Sequence, residues 1–149
     1  MPTATTLNQT SPAAPSYANA PTHPAMIGYL FWIIGFTGAH RFYFGKPLTG
    51  ALWFFTGGLF LIGWIIDLFL IPDMAEEANR RYHLGKLDHT VAWCLLLFLG
   101  IFGIHRIYMG KIITGIIYML TGGLFGIGDA YDVCTLNEQV EEINLAPAN

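Results

Sequence analysis

Residues 35–46 read Gly-Phe-Thr-Gly-Ala-His-Arg-Phe-Tyr-Phe-Gly-Lys, and residues 100–111 read Gly-Ile-Phe-Gly-Ile-His-Arg-Ile-Tyr-Met-Gly-Lys. The second run starts 65 positions after the first. The same shift, without a gap, carries Thr49-Gly50 onto Thr114-Gly115, Thr56-Gly57-Gly58-Leu59-Phe60 onto Thr121-Gly122-Gly123-Leu124-Phe125, and Asp67 onto Asp132. Between these anchors the residues drift among Ile, Leu, Phe and Met, while the glycines and polar positions persist. A self-match at fixed period marks a repeated structural unit. The chain is two copies of one apolar helical hairpin.

The composition says what surrounds that hairpin. Charged residues make up 11% of the 149 residues against about 25% for soluble domains. Apolar types reach 54%, and mean hydropathy is +0.49. Too few polar side chains are present to cover a water-facing surface, which disfavours a cytosolic enzyme or a disordered regulator. A formal charge of −3 argues against nucleic acid as a partner. Cys94 and Cys134 alone do not make a disulfide scaffold. The expected class is an all-α integral membrane protein, with lipids as its first partner.

Four apolar stretches, Met26–Phe44, Leu48–Ile71, Val91–Met109 and Ile112–Val133, approach the ~20 residues a helix needs to cross a bilayer. They predict four transmembrane helices arranged as two tandem parallel-repeat hairpins. The expected divisions are a disordered tail at 1–25, a first hairpin at 26–72, a charged linker helix at 73–89, a second hairpin at 90–137 and a polar tail at 138–149. Pro72 is expected to open the linker helix, which Gly85 ends, with Glu76–Arg80 and Glu77–Arg81 supporting it four residues apart. The Thr-, Ala- and Pro-rich tail has neither the positive nor the apolar region of a secretory signal.

Within this frame the run Gly35, Gly38, His40-Arg41-Phe42-Tyr43, Gly45-Lys46, followed by Gly58 and Asp67, resembles the TM2 domain. The resemblance implies two membrane helices joined by a short turn carrying a polar-Arg-Phe motif, here present twice. The second copy departs at Ile107, where the family has Phe, and at Asp129, where the first copy has Trp64. The family's turn is usually placed in the cytoplasm. A slight excess of Lys and Arg at the turns favours the same orientation, with linker and termini on the opposite side.

Candidate sites follow from residue chemistry. His40, Arg41, Tyr43 and Lys46, with His105, Arg106, Tyr108 and Lys111, place guanidinium and ammonium groups where lipid phosphates or a partner's acidic groups can reach them. One His per turn, without Cys or carboxylate nearby, makes no metal set. No catalytic triad and no cofactor motif is expected, so the chain reads as a non-catalytic interaction module in a cell membrane, with a second copy or another membrane protein as the candidate partner. Gly35, Gly38, Gly57, Gly58, Gly100, Gly103, Gly122 and Gly123 are read as helix-packing positions, with a kink at each Gly-Gly pair as the feature to test. Asp67 and Asp132 are intramembrane acids, and a small channel or transporter using them is the alternative function. If the helices are straight, Asp67 lies about 30 Å from the turn, which excludes an Arg41–Asp67 bridge and favours Tyr29 as its contact.

Overall fold

A computed structural model describes residues 20–35 and 37–147; most of the expected N-terminal tail lies outside these residues. Among them the chain forms eight α-helices: α1 Ala25–Ile34, α2 Ala39–Tyr43, α3 Pro47–Phe60, α4 Ile62–Arg81, α5 His89–Leu99, α6 Ile104–Tyr108, α7 Ile112–Phe125 and α8 Ile127–Leu145. A 3-10 turn over Gly100–Phe102 follows α5. The first copy supplies α1–α4 and the second α5–α8, so the duplication is visible helix by helix.

The kink singled out for testing is present at both Gly-Gly pairs, so the straight-helix geometry behind the Asp67 distance does not hold. Gly57, Gly58, Leu59, Phe60 and Leu61 all have positive φ, as do Gly122, Gly123, Leu124, Phe125 and Gly126. Glycine enters this left-handed region without a Cβ penalty, whereas the leucines and phenylalanines are each disfavoured there by about 1–2 kcal/mol. Thr56 helps to offset that cost: its hydroxyl donates to the Leu52 carbonyl at 2.7 Å and accepts the Leu59 amide at 3.0 Å. Thr121 repeats both bonds with Ile117 and Leu124. The chain therefore doubles back, and α7 and α8 meet at 116°. No single described helix is long and apolar enough to cross a membrane; only the bent α7–α8 pair reaches that length together.

This reversal puts the short turns and the linker at the same end of the molecule, not at opposite ends. Lys46 Nζ donates to Glu77 at 2.5 Å, and the Tyr108 hydroxyl accepts the Asp88 amide at 2.9 Å. Four further expectations change with it. Pro72 sits inside α4, which runs unbroken to Arg81. Glu76–Arg80 pair at 3.7 Å as expected, but Glu77 turns to Lys46 while Arg81 faces Glu138. The C-terminal segment is not a tail, since α8 continues to Leu145 and buries Val140. Thr22 and His23, inside the expected tail, are buried as well.

Phe31, Tyr43, Ile71, Trp93, Leu136 and Val140 form the core where the copies meet near the polar end. Asn137 joins them: its Oδ1 accepts from Trp93 Nε1 at 2.6 Å and stands 3.2 Å from His23 Nε2, while its Nδ2 donates to the Tyr43 carbonyl at 2.8 Å. At the opposite end Phe55, Phe60, Ile62, Leu120, Phe125 and Ile127 are exposed. The tips are apolar, and the charged side chains gather at the base, where Leu48 and Ile113 beside the two turns are also exposed.

Candidate functional site

Each copy encloses one ion cluster. In the first, Gly38 caps α2 with φ of 85°, and a Cβ there would lie 2.7 Å from Trp53 Cβ and 2.9 Å from the Gly50 carbonyl oxygen. This close approach seats α2 on α3 and turns His40 and Arg41 inward. Because α4 returns from the break, Asp67 meets them there. His40 Nε2 lies 2.7 Å from Asp67 Oδ2, and Arg41 Nε donates to the same oxygen at 2.8 Å. Arg41 also donates through Nη2 to Asp67 Oδ1, which makes the pair bidentate. The guanidinium carbon sits over the Trp53 ring, 3.7 Å from its centroid.

The second copy repeats the design. His105 Nε2 is 2.7 Å from Asp132 Oδ2, and Arg106 donates to both carboxylate oxygens at 2.7 and 2.6 Å. Tyr118 replaces Trp53 beneath the guanidinium, at 4.1 Å. Gln139 adds a bond to Asp132 Oδ1 at 3.2 Å. Both aspartates are wholly buried.

The bridge that straight helices forbid is therefore the central contact of each copy. Tyr29 is not among the hydrogen-bond partners of Asp67. All eight turn residues read from the sequence have partners within the protein: the two His-Arg pairs lie in the clusters, Tyr43 bonds through its hydroxyl to Thr90 at 2.9 Å, and Tyr108 accepts from Asp88. Lys46 and Lys111 stand half-buried at the base, paired with Glu77 and Gln139. Gly38 and Gly103 stand against Gly50 and Gly115 of the following helix, Gly35 stands beside Phe31 and Ala39 of its own neighbourhood, and a Cβ on Gly100 or Gly123 would meet Asp129. A Cβ on Gly57 would meet nothing within 4 Å, so its contribution is conformational.

Sequence reading missed the residues of the joint. Burial, with the nearby charge of His89 acting the same way, lowers the His23 pKa to about 3. Burial also lowers that of His89, whose ring is tilted 43° to that of His23 at 4.8 Å and lies 3.5 Å from Glu141. Burial would raise the Glu141 pKa, but bonds from the His83 amide and ring hold it below the ordinary carboxylate range.

Paired bent hairpins, each closed by a His-Arg-Asp cluster, define a duplicated helical module with an apolar end and a polar end. The TM2 domain model matches residues 21–69 and 85–134, covering most of the chain. The protein belongs to the TM2 domain family, whose members are membrane-associated. It is similar to three TM2 domain-containing proteins of Dictyostelium discoideum. One is 49% identical over 67 residues, covering 44% of each chain. Another is 44% identical over 63 residues, covering 42% of this chain and 43% of the relative. A third is 40% identical over 80 residues, covering 54% and 50%. The chain thus spans about half the length, or less, of these relatives. No solved structure matches it.

Proposed function

We propose that the protein is a non-catalytic, membrane-embedded structural module whose apolar tips enter the bilayer while its charged base stays at the headgroups. The observation that carries this reading is the segregation of exposed side chains. Phe55, Phe60, Phe125 and Ile127 crowd the tips, and Lys46, Glu76, Glu77, Arg80 and Arg81 occupy the base. A water-facing monomer rarely leaves a contiguous apolar surface of that kind. Lys46 and Lys111 are the cations placed to meet lipid phosphates or the acidic groups of a partner, in the cell membrane or in another copy. The names borne by the family and the relatives carry no chemical activity.

The channel reading would need Asp67 and Asp132 on a water path. Their complete burial in ion pairs closed within each copy favours the structural role instead. Membrane fractionation tests the proposal: the chain should stay in the pellet through an alkaline carbonate wash and leave it in detergent. Lys46→Ala with Lys111→Ala should reduce retained anionic lipid in native mass spectrometry. Release by carbonate alone would overturn the membrane role, and unchanged lipid retention would remove the two lysines from it.

A further inference from the structure

The two copies differ at one place where a difference changes the chemistry. In the first, Trp32 and Trp64 stack at 4.3 Å with rings 6° from parallel. Each indole also donates to the other's backbone carbonyl, Trp32 Nε1 to Trp64 at 2.7 Å and Trp64 Nε1 to Trp32 at 3.0 Å. The pair seals the gap between α1 and α4. Shifting by 65 puts Leu97 and Asp129 at these positions. The corresponding gap, between α5 and α8, is open. It is a pocket of about 240 Å³ lined by Trp93, Leu96, Leu97, Gly100, Asp129 and Val133, among others.

Asp129 Oδ1 is buried in this otherwise apolar pocket with no hydrogen-bond partner. Charge accounting points the same way. The first cluster sets one guanidinium against one carboxylate, Arg41 against Asp67. The second has Arg106 against Asp132, with Asp129 as an additional carboxylate. Arg106 and His105 act on Asp129 through space and Gly100 and Gly123 pack against its carboxylate, but no protein donor hydrogen-bonds to Oδ1. Buried unpaired polar oxygens are costly, and buried charges require an opposite charge. The missing partner is a donor with positive charge and a small apolar body.

We propose that the α5–α8 pocket binds a hydrophobic amine, its ammonium hydrogen-bonded to Asp129 and its hydrocarbon part against Trp93, Leu96 and Val133. An amine that arrives as ammonium meets the carboxylate with no bond changed, and one that arrives neutral takes the proton of the carboxylic acid, O–H giving way to N–H; either way the ion pair carries no net charge. The aromatic face of Trp93 suits a cation or the carbon next to it. A volume equal to about eight waters in the liquid selects a compact head group. Entry from the hydrocarbon rests on the membrane-embedded reading given above; the pocket and its unpaired oxygen do not.

The test uses the full chain in detergent micelles with cyclohexylamine as the probe and cyclohexanol as its uncharged counterpart, followed by saturation-transfer NMR. The amine should bind saturably at one site, and the alcohol about tenfold more weakly or worse. Asp129→Asn should lose at least about tenfold in amine affinity. Leu97→Trp with Asp129→Trp, which restores the first copy's stacked pair, should abolish binding and raise thermal stability. A parallel titration with dodecylamine separates sources: tighter binding than cyclohexylamine assigns the site to a lipid-like amine, and equal or weaker binding to a compact one. Equal affinity for amine and alcohol, or unchanged affinity in Asp129→Asn, would overturn the proposal. Carbonate fractionation is read on the same protein, so a failed membrane role is distinguishable from an empty pocket.

Discussion

The two hairpins share a backbone plan and an ion cluster, yet they close their outer gap differently. The first uses two indoles whose N–H groups and faces satisfy each other. The second leaves Leu97 and an unpaired Asp129. The parts that keep their identity are those that make the bend and neutralise the buried charge: Thr-Gly-Gly-Leu-Phe, His-Arg and the late Asp. Those free to change lie beside the bend. The bend is thus the invariant of the unit, and the outer gap is where one copy has acquired a different surface.

The largest effect should come from removing a cluster carboxylate. Asp67→Asn leaves Arg41 buried without a counter-charge, which costs about 3–5 kcal/mol. Asp132→Asn should cost less, because Asp129 stands close enough to help balance Arg106. Thermal unfolding in detergent checks the order, and equal losses would mean that Asp129 is electrostatically remote from the cluster. Next, Trp64→Ala removes half of the stacked pair and the indole bond to the Trp32 carbonyl, while the residue 64 carbonyl still accepts from Trp32, for about 2–3 kcal/mol. Leu97→Ala at the matching position should cost about 1 kcal/mol or less, since Leu97 is 38% exposed.

The joint between the copies adds a pH dependence that neither copy has alone. His23 and His89 take up protons near their ordinary value of 6.5 when unfolded, but burial lowers both pKa values in the folded chain. Below about 6.5 the unfolded state therefore binds more protons, so the joint's stability is complete above that pH and drains away toward about 3. Glu141 acts in the same direction at lower pH, because its folded pKa is also lowered. Melting temperature should fall between pH 7.5 and 5, and His23→Gln should flatten the curve. The smallest effect is expected at the bend. Leu61 has φ of 68° where the second copy has Gly126, so Leu61→Gly should gain about 0.5–1 kcal/mol and Gly126→Leu should lose a similar amount.

The duplication, the apolar character and the helical class were legible because they are written in residue type and spacing. The Arg41–Asp67 pairing was not, because the distance estimate assumed straight helices. The Thr-Gly-Gly sequence pointed to a kink, with a hydroxyl able to cap it and two residues free to turn left-handed, but not to how far the chain turns back or to which side chains that return brings together. Asn137, His23 and His89 escaped for a different reason. Asn137 aligns with Pro72 and His89 with Pro24, so comparing the copies points away from the residues that join them.

Arg41 and Asp67 lie 26 residues apart and need nothing from the second copy, whereas Asn137 reaches back 94 positions to Tyr43. During synthesis the first cluster can therefore assemble while the second copy is still on the ribosome. Joining of the halves has to wait until Asn137 has emerged.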